Sequence, residues 1–200
     1  MNTITWNADF IRSAMIHDKQ TPREVLRDCV GVATIEGYPK PMLGSTDGFR
    51  LHMFPAPDDM HPGTYKIHDT KDSLLLESDD QSYPNFGAIV AEVDKREQEL
   101  KFVPLGQVTA ATAKGLEKGR LLAAFRKVEG DLVFLGYVPY SAYSLAENPD
   151  VIVIKPVYYN DAIRAMTGQA IAATFDKPNR PLSLKADTMT AVIMPMIPSK

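Results

Sequence analysis

An Asp-Gly pair set between two apolar stretches does most to limit the folds open to this chain. In residues 43–54, LGSTDGFRLHMF, the polar tetrad Ser45-Thr46-Asp47-Gly48 breaks an apolar run. Gly accepts φ > 0 and Asp bonds its own backbone, so Asp-Gly between β-rich segments signals a tight hairpin turn. Beyond the turn, Phe49, Leu51 and Met53 alternate with Arg50 and His52. That is the two-residue period of a strand with one buried face. The turn reading makes Asp47 a structural residue rather than a catalytic one.

The rest of the chain repeats this pattern of short β-rich runs closed by polar turns. CVGVATIE (29–36), TYKI (64–67), SLLLES (73–78) and GAIVAEV (87–93) read as strands. NADFIRSAMIH (7–17) reads as a helix with Asn7 as N-cap and Phe10, Ala14 and His17 on one face. DKREQELK (94–101) has the highest charge density and is the expected linker, dividing the chain into domains 1–96 and 97–200.

The second half opens with a helix, LGQVTAATAKGLEKG (105–119), striped by Leu105, Val108, Thr112 and Leu116. A hairpin around Glu129-Gly130-Asp131 follows, then the buried strand DVIVIKP (150–156) and the amphipathic helix VYYNDAIRAMTG (157–168). A second hairpin over 170–187 and a last strand, TAVIMPMI (190–197), close it. Helices set among antiparallel hairpins give an α+β class.

With 44% hydrophobic residues, 200 residues can bury a real core. The single cysteine, Cys29, excludes an internal disulfide and reads as a small buried residue. No run of about 18 apolar residues suits a membrane span, so the expectation is a soluble cytoplasmic protein with no membrane partner. The net charge of −3 argues against nucleic-acid binding by bulk attraction. The charge is uneven, however: residues 1–104 carry 17 acids and 11 bases, residues 105–200 carry 8 and 11. Such asymmetry fits either chance or a basic surface on the second half.

Motifs for chemistry are missing. There is no phosphate-binding Gly-rich loop, metal-spaced Cys/His cluster or nucleophile elbow. His17, His52, His61 and His68 are scattered, with no i, i+4 pair. The acids of DDMH (58–61) lie between prolines, as in a surface turn. No catalytic residue, metal or cofactor is expected.

Three separated stretches together resemble the bacterial DNA polymerase III β subunit, the sliding clamp. STDGFRLHMF (45–54) is similar to the family's A-T-D-G-H-R-L, with Phe49 where His is usual. DDQSYPNFGAIV (79–90) resembles its D-G-x-F-P-D-Y-x-x-V, and AVIMPMI (191–197) its closing V-V-M-P-M-R-L, with Ile197 in place of Arg. Their order is that of the family's second and third domains, and VIVIKPVYYNDAIRAM (151–166) fits the strand and helix of the last. The resemblance implies clamp-fold domains, with antiparallel sheets outside and helices on one face. Domain 1–96 corresponds to a shortened second domain, with one inner helix rather than two, and 97–200 to the C-terminal domain.

The family encircles duplex DNA without reading sequence and tethers a polymerase, raising processivity without catalysis. Its inner helices meet phosphates through Lys and Arg. Carried over, this nominates Arg12, Lys114, Lys118 and Arg164 for phosphate contacts. The family docks motifs of DNA polymerase and other clamp-binding proteins in an apolar cleft. The matching positions are Thr46, Gly48, Phe49, Arg50 and Leu51; Pro84, Ala88 and Ile89; and Val192, Ile193, Met194, Pro195 and Met196. Flexible, polarizable Met side chains suit a groove for varied apolar anchors. Phe49, Ala88 and Ile197 make this cleft less polar than the family's.

A six-domain ring built from two-domain chains would be a trimer, closed by head-to-tail pairing of edge strands, in a bacterial or virus-infected bacterial cell. The rival readings are a clamp-fold module that binds such motifs without encircling DNA, and an enzyme using Asp47 or the acids of 58–61.

Overall fold

The structure is a computed structural model describing residues 11–12, 14–16, 21–69, 74–95, 99–103 and 121–196. The chain divides into two compact units, residues 1–95 with 188–191, and 96–187 with 192–200.

The first unit is built on an antiparallel sheet in the order β5-β4-β1-β2-β3. These strands are Cys29–Ala33 (β1), Met42–Thr46 (β2), Arg50–Pro55 (β3), Gly63–Asp69 (β4) and Leu74–Asp79 (β5). The register is fixed by pairs such as Gly31 with Gly44, Val30 with Tyr65 and Ser45 with His52. Helix α1 (Glu24–Asp28) precedes β1 and α2 (Gly87–Asp94) follows β5.

Two sequence expectations change here. Residues 87–93, expected as a strand, form α2. Their β-branched residues suggest a strand, but Phe86, Val90 and Val93 are the buried positions, at spacings of four and three, a helical stripe. β3 is not half exposed either: Arg50, Leu51, His52, Met53 and Phe54 are all buried. One face carries Ser45 and His52 against residues 14–16: Ile16 N–H donates to Ser45 Oγ (2.9 Å) and His52 Nδ1–H to the Ala14 carbonyl (2.7 Å). The other face carries Gly31 and Gly44, covered by the rings of Tyr83 and Phe86. With both faces covered, alternation disappears. Phe49, expected on the buried face, lies in the turn before the strand and is exposed.

The predicted helix over 7–17 is helical at residues 11, 12 and 14, where Met15 N–H donates to the Ile11 carbonyl at 2.8 Å. Asn7, Phe10 and His17 lie outside the described residues, as does the helix expected over 105–119.

The second unit contains a mixed sheet in the order β12-β11-β10-β6-β8-β7-β9. Its strands are Glu99–Val103 (β6), Leu121–Val128 (β7), Asp131–Pro139 (β8), Val151–Ile154 (β9), Ala172–Thr174 (β10), Leu182–Ala186 (β11) and Met189–Ile193 (β12), the last shared between the units. Part of the expected linker is thus strand. The β6–β8 pair is parallel, against an otherwise antiparallel expectation.

The β7–β8 hairpin forms where the sequence places it, with Val128 opposite Asp131 across Glu129-Gly130. Both loop residues have positive φ (47° and 95°), as a twist-matched two-residue hairpin requires. A 3-10 helix, Tyr140–Glu147, and helix α3, Pro156–Ala165, flank β9. Pro156 opens α3, where its missing N–H costs nothing, and Gly168 (φ 81°) follows its end. Tyr159 of α3 packs edge-on to Phe125 (5.0 Å between ring centroids) and stacks on Phe134 (5.3 Å), and Phe102 joins this aromatic core.

Candidate functional site: an apolar surface on a pinned turn

The quoted turn is held by its own side chains. Asp47 Oδ1 accepts the N–H groups of Phe49 (2.9 Å) and Arg50 (3.0 Å), and Oδ2 accepts Arg50 Nε–H (3.1 Å). Thr46 Oγ1 donates to the Arg50 carbonyl (2.6 Å) and accepts Gly48 N–H (3.0 Å). Gly48, at φ 93°, supplies the left-handed step. The Asp47 carboxylate is therefore engaged in fixing backbone and a buried guanidinium, which leaves the enzyme reading without a catalytic acid at this turn. The turn projects the Phe49 ring outward, 58% exposed.

The second segment is fixed to that turn. Tyr83 hydroxyl accepts Thr46 N–H at 3.0 Å, and Tyr83 N–H donates to Thr64 Oγ1 at 3.1 Å. The Tyr83 and Phe86 rings meet edge to face (6.4 Å) over the cross-strand pair Gly31 and Gly44. A Cβ on Gly31 would strike the Tyr83 ring, and one on Gly44 would lie 2.8 Å from Phe86. The glycines are there for close approach of these aromatics. Burial pushes the Tyr83 hydroxyl well above the usual tyrosine range, so it stays protonated. Beyond it Pro84 and Ala88 are exposed, and Ile89, on α2, is 43% exposed.

In the second unit, Val192 and Ile193 are buried at the end of β12, Pro195 is buried, and Met194 between them is 40% exposed. Met196 N–H donates to the Val153 carbonyl on β9 at 2.8 Å, and its side chain, like that of Val138, packs on the cluster of Leu122, Val151 and Val153.

The thirteen expected cleft positions differ in exposure. In the first unit Phe49 and Ile89 are exposed, as are Gly48, Pro84 and Ala88, while Arg50 and Leu51 are buried and Thr46 is half-buried. In the second, Met194 is exposed, Val192, Ile193 and Pro195 are buried, and Met196 is half-buried. Tyr83 is the residue that sequence reading passed over. It lies inside the DDQSYPNFGAIV stretch, from which only Pro84, Ala88 and Ile89 are nominated, and the two glycines inside strands mark a close approach without naming a partner.

Of the four candidate cations, Lys114 and Lys118 lie outside the described residues. Arg12 Nε is 2.8 Å from Asp69 Oδ1. Arg164, 70% exposed on α3, is 3.3 Å from Asp161. In the 58–61 turn, Asp58 pairs with Lys40 (2.6 Å) and the His61 carbonyl accepts the Tyr65 hydroxyl (2.8 Å). Among the described residues no group of three or more His, Cys, Asp or Glu is placed to hold a metal ion. Among them, too, no helix is long and apolar enough to cross a membrane.

No protein-family model matches the chain, and no curated protein matches its sequence. Solved structures do. The β subunit of DNA polymerase from Streptococcus pyogenes superposes with a TM-score of 0.54 at 13% identity, over 99% of this chain and 68% of that one. The chain has the sliding-clamp fold. The sliding clamp of Bacillus subtilis gives 0.56 at 13% identity, over 95% of this chain. The DNA polymerase III β subunit of Thermotoga maritima gives 0.57 at 12% identity, over 96%. The chain spans 62–68% of the length of these three clamps. At this identity the backbone arrangement is shared and most side chains are not, so the candidate surface has to be judged on its own geometry.

Proposed function

We propose that this chain is a two-domain sliding-clamp-like processivity factor that docks short apolar motifs of partner proteins, DNA polymerase among them. The first unit stands for the clamp's second domain and the second for its C-terminal domain. The observation that carries the reading is Phe49. A large aromatic held 58% exposed on a turn pinned by a buried ion pair is a preordered anchor point, and rigid aromatics dominate binding energy in such surfaces. Eight large apolar residues are exposed among the described residues, and Phe49, Ile89 and Met194 are three of them. No catalytic step is assigned to the chain.

In the processivity role a trimer encloses duplex DNA, with Arg164 and the lysines of 105–119 meeting phosphates regardless of sequence. The test is retention on DNA together with mass in solution. A ring is retained on closed circles and lost from linear ends; equal release from both contradicts encirclement. Two observations favour the second reading, a module that binds motifs without a ring. Arg12 is engaged by Asp69, and the outermost strand β9 already accepts Met196 N–H at Val153. A monomer that binds clamp-type peptides and no DNA is the result that reading expects.

A further inference from the structure

The docking surface of the first unit has two outward apolar groups on separate elements, Phe49 on the β2–β3 turn and Ile89 on α2. Tyr83 is bonded to the first and leads into the second. Its hydroxyl accepts the N–H of Thr46, the residue before the turn. Its ring lies over Gly31, and Phe86, three residues on, covers Gly44 and caps α2. Resting on the docking reading above, we propose that Tyr83 is a positioning residue: its hydroxyl bond to Thr46 sets the turn carrying Phe49 against the helix carrying Ile89, so that both engage one peptide.

The geometry separates this role from simple core filling. The ring alone fills the space over Gly31, and only the hydroxyl reaches the turn. Tyr83→Phe keeps the ring and removes the acceptor, leaving Thr46 N–H without it. The loss of one neutral hydrogen bond corresponds to about a three- to tenfold change in an equilibrium.

The experiment measures binding of a labelled peptide carrying a bacterial clamp-binding motif to the full chain, wild type and Tyr83→Phe, with thermal unfolding alongside. The expected result is affinity about three- to tenfold lower in Tyr83→Phe with little change in melting temperature. Wild-type binding with unchanged affinity in the variant overturns the positioning role and leaves docking intact. No binding by wild type overturns docking itself, and this inference with it. A second measurement needs no variant: amide exchange at Thr46 in wild type slows when peptide binds. An unchanged rate in the peptide complex contradicts the proposal even if Tyr83→Phe folds poorly.

Discussion

Arg50 Nε lies 3.1 Å from Asp47 Oδ2, three residues back, and both side chains are almost wholly out of water. A buried pair of this kind contributes little net stability, but removing one partner takes a compensating charge from the other. Asp47→Ala also deletes the acceptor for Phe49 and Arg50 N–H. The expected cost is about 3–5 kcal/mol in chemical denaturation, with the Phe49 ring losing its fixed presentation. A cost below about 1 kcal/mol, the worth of an exposed pair, would show that the turn does not depend on this carboxylate.

Gly31→Ala and Gly44→Ala each force a methyl into an aromatic ring. Phe86 is buried and has little room to yield, so overpacking by about 1–3 kcal/mol is expected at Gly44. Gly48→Ala meets no atom within 4 Å and is strained only by its φ of 93°. Its cost is backbone strain alone, whereas unfolding curves showing no loss in Gly31→Ala and Gly44→Ala contradict the slot described for Tyr83 and Phe86.

Much of this was legible in the sequence. The hairpin at Glu129-Gly130, the strand and helix over 151–165, and the turn at 46–48 follow local rules that tertiary packing did not override. Residues 87–93 failed because Ile89, Val90 and Val93 favour a strand by type, whereas burial at Phe86, Val90 and Val93 selects a helix. β3 misled for another reason. Arg50 and His52 look solvent-facing until Asp47 and the Ala14 carbonyl supply buried partners. Phe49 is legible through the motif, but its exposure depends on a three-residue loop, Asp47-Gly48-Phe49, whose geometry no alternation pattern encodes.

Burial raises the hydroxyls of Tyr83 and Tyr159 above the ordinary tyrosine value of about 10. The unfolded chain then ionises first, so the native state holds more protons. Their stabilising effect is complete below about pH 10 and declines as pH rises beyond it. Phenolate absorbance should show these two tyrosines ionising only together with unfolding. Tyr159→Phe should reduce the alkaline loss.

Desolvation likewise raises the Cys29 thiol, which is buried at the start of β1. Alkylation of native protein at pH 8 should be slow and should accelerate on denaturation. Fast labelling without unfolding contradicts the packing assigned to β1.

The central claim is that Phe49 anchors a docked peptide. Its most direct test is the affinity of a clamp-binding-motif peptide for wild type and Phe49→Ala, read by fluorescence anisotropy. Phe49 is exposed, so the substitution should leave the melting temperature near wild type. The account predicts measurable binding by wild type and at least about tenfold weaker binding by Phe49→Ala, the loss of roughly 1.4 kcal/mol or more expected of an aromatic hot spot. Equal affinity for the two proteins, or no binding by wild type, contradicts it.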